Sequence, residues 1–258
     1  MNPSRTGLYL FAVGRGLDSA AMSDVEGLGG SALEIVDCRD LQAVVCSVDL
    51  DEFGEDSLAR NLEDLAWLER VARAHNDVVF AVATTGTVAP MRLVTICADE
   101  ASVRDRIEAL YDDLSAALDR VEGRREWSVK VHASGEAEPP QELVDTNSEG
   151  GSGAAYLRRK RAAADRRRAA DERSLHVADE VHGELAAVAI AARQLPPQDP
   201  RLTGRSEPMI LNGAYLVSID EGPAFRALVK RVGESHPGAT VEVEGPWPPY
   251  SFATLDAP

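Results

Sequence analysis

The residue types that most often carry catalysis are dispersed in this sequence. Its five histidines are scattered, and His176 and His182 are six residues apart, a spacing that does not place both on one face of a helix. There is no G-x-S-x-G nucleophile motif, no P-loop and no H-E-x-x-H zinc motif. His75 lies on the apolar side of a helical pattern, which favours a core histidine bonded to a neighbour over a metal ligand or a general base. We therefore predict that the protein is not an enzyme and binds no cofactor and no metal.

One cation falls within an apolar run. Arg92 follows Pro90 and Met91 and precedes a segment rich in β-branched residues, so its charge is either functional or paired. Because buried charges are usually paired, the pattern favours a buried salt bridge with an acidic residue such as Glu63 or Glu126.

A second group of charges stands out against the composition of the whole chain. The net charge is −16, yet residues 156–173 contain eight Lys or Arg and only three Asp or Glu. An excess of one sign on a helix is either a docking surface or an ordinary solvated face. We predict a partner-binding surface that includes Arg158, Arg159, Arg166 and Arg167. The alternative interpretation is that the chain is a nucleic-acid-binding or regulatory α+β protein that uses the helix 156–173 as its basic face.

Composition narrows the class of protein. The net charge of −16, with no aromatic residues interleaved among the basic ones, predicts no binding to nucleic acid or to an anionic membrane. No uninterrupted apolar stretch is long enough to span a bilayer, and no signal peptide is visible. The three cysteines, Cys38, Cys46 and Cys97, have no metal-ligand spacing and lie in strand-like runs. This is typical of reduced thiols in a cytoplasmic protein.

A long amphipathic helix over residues 58–83 is the first element that positions these side chains. Apolar residues recur in it at three- and four-residue spacing, which places them on one buried face. They are Leu58, Leu62, Leu65, Leu68, Val71, His75 and Val78. Gly86 ends the helix. Because proline cannot donate to a central ladder, a strand over residues 91–97 is predicted to start just after Pro90.

The remaining elements of the first half are strands and one further helix. Apolar alternation predicts strands at residues 6–13, 32–37, 41–48 and 126–132, and a helix capped near Asp99 that runs through Val121. Strands mixed with helices in this order predict an α+β domain over residues 1–133, with helices on one face of a mixed sheet.

A change of composition separates the two halves. Residues 134–153 are rich in Pro, Gly and Ser, which predicts a linker. The second domain, residues 154–258, then begins with a long helix that we expect to end at Pro196. Its predicted buried stripe is Val177, Val181, Leu185, Val188 and Ala192. Strands at 209–219 and 238–244, with a helix at 223–232 between them, complete this second α+β domain.

Four separated motifs resemble those of the gas vesicle protein F/L family. The first is W-L-x-x-x-A-x-x-H, followed by a Gly-x-x-x-Pro turn and an Arg-bearing segment. The others are E-W-x-V-K-V, M-I-L-N-x-A-Y-L-V and G-P-W-P-P-Y-S-F. The family-motif residues are Trp67, His75, Pro90, Arg92, Trp127, Asn212, Tyr215, Trp247 and Tyr250. The chain departs from the family pattern at Leu93, Val94 and Cys97, where a Phe, a Gly and an aromatic residue are usual.

This resemblance implies an accessory protein needed for assembly of the gas vesicle, the gas-filled protein shell that gives cells buoyancy. It implies a ferredoxin-like second domain with a long helix, and a location at the gas vesicle or in the cytoplasm. The implied partners are the small hydrophobic shell protein and other accessory proteins, with this chain as chaperone, nucleator or minor structural component. Three prolines stiffen the closing motif, and we expect Trp247, Tyr250 and Phe252 to stack on a surface of their own second domain.

Overall fold

The computed structural model describes residues 5–133, 152–198, 205 and 207–253. The chain divides into two compact units, one made of Met1–Glu126 with Pro246–Pro258 and the other of Trp127–Gly245. These bounds differ from the predicted domains, 1–133 and 154–258. The strand predicted to close the first domain contributes to the second sheet, and the C-terminal segment belongs to the first unit. The predicted linker, 134–153, lies outside the described residues except for its last two positions.

The first unit contains a five-stranded sheet. Its strands are β1 (Thr6–Arg15), β2 (Leu33–Cys38), β3 (Leu41–Asp49), β4 (Thr87–Pro90) and β5 (Ile96–Cys97). The strand order is β2-β3-β1-β4, and β5 also pairs with β1. Each of these pairings is antiparallel, so the sheet is not the mixed one that we expected.

The predicted helix over residues 58–83 is broken in the structure. The helices here are α1 (Leu50–Phe53), α2 (Glu55–Asn61) and α3 (Leu65–Ala83). Asp64 begins α3, because its carboxylate accepts hydrogen bonds from the backbone N–H of Ala66 at 2.9 Å and of Trp67 at 3.3 Å. The break takes Leu62 and Leu65 out of the buried stripe, and they are 45% and 79% exposed. The apolar face of α3 is buried from Trp67 onwards.

The strand predicted after Pro90 is also corrected. Pro90 is the last residue of β4 and lies opposite Ala12, on the edge side of the sheet where a missing N–H is tolerated. Val94 then has a φ of 62°, a conformation that a β-branched residue does not adopt within a strand. The chain therefore turns between Met91 and Thr95, and only Ile96–Cys97 forms a strand.

Helices cover both faces of the first sheet, whereas the sequence predicted one. Tyr9 and Phe11 of β1 contact His75 of α3, while Leu10 between them points to the opposite side and is also fully buried. Two helices, α4 (Glu100–Ala109) and α5 (Tyr111–Val121), lie on that side and contact β1. Their buried residues do not belong to the hydrophobic cluster that contains the buried residues of α3. The two helices are separated at Leu110, where we expected a continuous helix.

The second unit has the ferredoxin-like order of elements, as the resemblance implied. The elements are β6 (Arg124–Ala133), α6 (Ser152–Ala186), β7 (Ala191–Gln194), β8 (Met209–Ser218), α7 (Gly222–Ser235) and β9 (Ala239–Trp247). The sheet order is β7-β8-β6-β9, which gives two interleaved β-α-β halves. The core packs Val181 and Leu185 of α6 with Phe225 and Val229 of α7. After β9 the chain ends its described part in a short helix, α8 (Tyr250–Ala253).

The long helix ends earlier than predicted. It stops at Ala186 rather than Pro196, and the next residues form β7, which pairs antiparallel with β8. Val188 is therefore 49% exposed and Ala192 is a strand residue, so neither extends the buried stripe of the helix.

Candidate interaction surfaces

His75 is a buried structural residue of α3. Its Nδ1 lies 3.0 Å from the hydroxyl of Tyr9, and that hydroxyl oxygen accepts a hydrogen bond from the backbone N–H of Val94 at 3.0 Å. Burial lowers the pKa of His75 to about 4, an effect that the backbone of Met91 opposes only in part. The same burial raises the pKa of Tyr9 to about 12. The pair is therefore neutral near pH 7, and it joins α3 to β1 and to the turn after β4.

Trp67, near the start of α3, is held by an acidic residue of α1. Its indole N–H donates to the carboxylate of Glu52 at 2.6 Å, and its ring packs against Phe53 with ring centroids 5.4 Å apart. Arg70 donates to the same Glu52 oxygen at 3.3 Å. This motif residue therefore fixes α1 against α3.

Arg92 does not form the predicted buried salt bridge. Its side chain is exposed, and no ion pair with Glu63 or Glu126 is present in the described part of the chain. Glu126 is buried and binds elsewhere: its carboxylate accepts from the backbone N–H of Ser251 at 2.8 Å and from the Ser251 hydroxyl at 2.6 Å. The turn at Val94 explains the difference, because it replaces the strand that would have buried Arg92.

The closing motif packs against the first unit, and the predicted contact with the second domain is wrong. The hydroxyl of Tyr250 donates to the side chain of Asn76 at 2.8 Å, and Arg120 donates to the carbonyl of Phe252 at 3.0 Å. With the Glu126 bonds, these contacts hold α8 against α3 and α5. Sequence reasoning did not single out Asn76, and no local spacing could have done so, because 174 residues separate it from Tyr250.

Trp247, from the same motif, is left partly in solvent. It is 44% exposed and meets Phe80 of α3, which is 47% exposed, edge to face with ring centroids 6.3 Å apart. The two rings form an exposed aromatic pair on the first unit.

The motif residues of the second unit are also structural. Tyr215 of β8 is fully buried, and its hydroxyl lies 2.9 Å from Nδ1 of His182 on α6. Trp127 packs against Phe225 with ring centroids 6.0 Å apart. The amide of Asn212 donates to the carbonyl of Pro196 at 2.8 Å, which holds the chain that follows β7.

The basic segment of α6 is an exposed surface that these motifs do not explain. Residues 156–173, which we call the basic arm, are all exposed except Ala169. The first core residue of the helix is Ala178, so the arm extends for about 27 Å without a buried face. Within the described residues, none of its eight Lys and Arg side chains has a salt bridge or a side-chain hydrogen bond. The arm brings together Arg158, Arg159, Arg166 and Arg167, and keeps all four in solvent.

The described residues contain little that could support catalysis. No group of three or more metal-ligating side chains comes together among them. The three cysteines are free, and burial raises the pKa of the Cys46 thiol to about 11, which keeps it protonated and unreactive. None of the helices that the structure describes has the length and apolar content needed to cross a membrane.

The fold is similar to that of solved gas vesicle proteins. GvpF from Anabaena has a TM-score of 0.68 at 18% identity, with 98% of both chains covered. GvpF from Microcystis aeruginosa has a TM-score of 0.69 at 16% identity, covering 96% of this chain and 99% of that one. At these identities the likeness establishes the fold.

Sequence comparison establishes the family. The model of the gas vesicle synthesis protein GvpL/GvpF family matches residues 7–254. Gas vesicle protein L of a Streptomyces strain is 39% identical over 96% of this chain and 92% of its own length. Gas vesicle protein F2 of Halobacterium salinarum is 24% identical over 98% and 94%. The chain belongs to the GvpL/GvpF family of gas vesicle proteins, as the four sequence motifs indicated.

Proposed function

We propose that this protein promotes assembly of the gas vesicle by binding the hydrophobic shell protein and other accessory proteins, with the basic arm supplying part of the contact. The observation that carries the proposal is the arm itself, a helical segment whose eight cations are exposed and have no ion pair among the described residues, in a chain of net charge −16. Membership of a gas vesicle synthesis family supports a role in gas vesicle assembly, and the arm supports electrostatic binding of a partner.

The arm suits capture of a partner by electrostatic attraction. Within the part of the chain that the structure describes, its charges form no ion pairs, so a partner that pairs with them has none of these to break. Long-range attraction between complementary charges raises the association rate and selects the partner, while packed apolar contacts supply most of the affinity. The exposed pair of Phe80 and Trp247 is an apolar surface of the kind that such a contact uses.

Binding of an apolar subunit would also serve assembly directly. A protein with large exposed apolar surface aggregates unless that surface is covered before it is incorporated. A partner with a strongly negative net charge keeps the complex dispersed. We therefore propose that this chain holds the shell protein before incorporation, at the gas vesicle. The identity of 39% with Gas vesicle protein L, against 25% with Gas vesicle protein F of the same Streptomyces strain, supports an L-type role.

The test is retention of the purified shell protein on this chain, at low and at high salt. The variant reverses Arg158, Arg159, Arg166 and Arg167 to Glu. A matched control makes the same change of net charge at four exposed cations outside the arm: Arg5, Arg106, Arg226 and Arg231. We expect the arm variant to lose most of the retained shell protein and the control to keep it. Exposed charges contribute little to stability, so neither variant should change the melting temperature much.

Each component of the proposal can fail separately. Equal retention by the wild type and by the arm variant removes the arm from the interface. If the wild-type chain retains neither the shell protein nor another gas vesicle protein at any salt concentration, the assembly-binding function is refuted. Salt-sensitive binding of duplex DNA by the arm, with no retained vesicle protein, would favour the nucleic-acid-binding alternative instead.

A further inference from the structure

We propose that the basic arm of one copy of this chain docks on an acidic, leucine-bearing surface of a second copy, so that the protein self-associates. That surface is residues 49–65, which comprise α1, α2 and the first residue of α3, and we call it the leucine corner. The inference rests on the proposed function in one respect, that the arm is a docking surface, but it does not require the shell protein.

Two leucines of the corner are exposed where their sequence pattern predicts burial. Leu62 and Leu65 are 45% and 79% exposed, and Leu65 is the most exposed large hydrophobic residue that the structure describes. The cause is the break between α2 and α3, where Asp64 caps the start of α3. A single exposed leucine needs no explanation, but two at one helix junction form a small apolar surface that lacks a partner.

The charge of the corner is opposite to that of the arm. Residues 49–65 contain seven acidic residues and one basic residue. Asp49 and Asp64 act as helix caps, and Glu52 binds Trp67 and Arg70. The other four carboxylates have no ion pair or hydrogen bond within the described ranges. They are Asp51, Glu55, Asp56 and Glu63.

The basic arm matches this corner in apolar character as well as in charge. It starts with Tyr156 and Leu157, which are 59% and 54% exposed, directly before Arg158 and Arg159. Each surface thus has two exposed apolar residues among unpaired charges, and the charges have opposite sign. This is the arrangement of a small protein interface, in which apolar residues are desolvated at the centre and complementary charges surround them.

The geometry has a consequence for the assembly formed. The arm and the corner are different surfaces, so the contact is either made twice across a two-fold axis, which gives a closed dimer, or made once, which joins copies head to tail. Head-to-tail contacts close into a small ring or continue as an open chain. In either case we expect association that grows with protein concentration and shrinks as salt screens the charges.

The experiment is sedimentation velocity of the purified chain alone over a range of concentrations, at about 0.05 M and at about 0.5 M NaCl. One variant reverses the four arm arginines to Glu, and a second neutralises the corner through Glu55→Lys, Asp56→Lys and Glu63→Lys. We expect each to weaken self-association at least about tenfold at low salt, because the first variant turns attraction into repulsion and the second removes the net negative charge that attracts the arm. Leu65→Ser should weaken it as well, and this loss should persist at both salt concentrations.

A mixture of the two variants gives the decisive measurement. Each variant alone lacks complementary surfaces, but the corner variant keeps the basic arm and the arm variant keeps the acidic corner, so the mixture contains one complementary pair. We expect the mixture to associate, and its failure to do so while the wild type associates would refute this pairing. A control with the same change of net charge as the corner variant, Asp24→Lys, Asp105→Lys and Glu122→Lys, should associate like the wild type.

The outcomes separate this inference from the proposed function. A wild-type chain that stays monomeric at all concentrations and both salt levels overturns the self-association, and its retention of the shell protein is unaffected by that result. Association that the control abolishes as completely as the corner variant also overturns it, because net charge alone would then be the cause. Melting curves of each variant confirm that the loss does not arise from unfolding.

Discussion

The buried pair of His75 and Tyr9 makes a specific prediction about acid stability. His75 is 2% exposed, and burial holds its pKa at about 4, below its usual 6.5. Between these two values the unfolded chain binds a proton at this residue and the folded chain does not. Stability from His75 is therefore fully present above about pH 6.5 and is lost as the pH falls towards 4.

The size of the effect follows from the two pKa values. Proton linkage gives a loss of about 2 kcal/mol in the free energy of unfolding between about pH 7.5 and pH 5, and about 3 kcal/mol by pH 4. Replacement of His75 by Gln removes this titration while keeping a side chain that can bond to the Tyr9 hydroxyl. The variant is less stable at neutral pH, but its stability should fall less on acidification.

The assay is denaturant unfolding followed by tryptophan fluorescence, at about pH 7.5 and at about pH 5. Two of the three tryptophans, Trp67 and Trp247, belong to the first unit, so the signal reports mainly on the unit that contains His75. Carboxylates titrate in both proteins, and their effect cancels when the wild type is compared with the variant. A pH-dependent loss that is the same in both proteins within about 0.5 kcal/mol would refute the reasoning.

Three further predictions concern packing, capping and the C-terminal segment. Leu118→Ala on α5 should cost about 2–5 kcal/mol of unfolding free energy, because Leu118 is fully buried. Leu65→Ala should change it by less than about 0.5 kcal/mol, because Leu65 is exposed where the helix is broken. Equal costs of the two variants in chemical denaturation would contradict the break in the helix. Asp64→Ala should cost about 0.5–2 kcal/mol in the same assay, since two N–H groups lose their acceptor, and Asp64→Asn should restore most of it. Ser251→Ala removes a hydroxyl bond to the buried carboxylate of Glu126 and should cost about 1.5–3 kcal/mol. It should also speed amide exchange in α8, and unchanged exchange would show that this bond does not hold the segment.

Local patterns in the sequence predicted most of the elements. Alternation located β1, β2, β3, β6, β8 and β9 within a few residues. Asp99 caps α4 through the backbone N–H of Ser102 at 2.8 Å, as its position before an apolar-periodic run indicated. The four motifs led to the family, and the ferredoxin-like second domain followed from that resemblance. These inferences depend on residues that are close in the chain, so the sequence displays them directly.

Tertiary structure decided the features that depend on distant residues. Periodicity continues through Leu62 and Leu65, but Trp67 binds Glu52 and packs against Phe53 of α1. The helix begins again at Asp64, and both leucines are exposed. Two helical layers on the first sheet give the strand β1 two buried faces, which its alternation alone did not distinguish from one. In each case the outcome depends on which elements pack against one another, and a local pattern does not carry that information.

The C-terminal segment shows the same limit most clearly. Its G-P-W-P-P-Y-S-F motif identified the family, yet nothing in it indicates that Ser251 binds Glu126, 125 residues earlier. A buried carboxylate must be satisfied by whichever donors the fold brings to it. The sequence by itself therefore determined the elements, the family and the charge of the basic arm. Only the folded chain determined where the closing motif docks, which charges are buried and which surfaces remain free to bind.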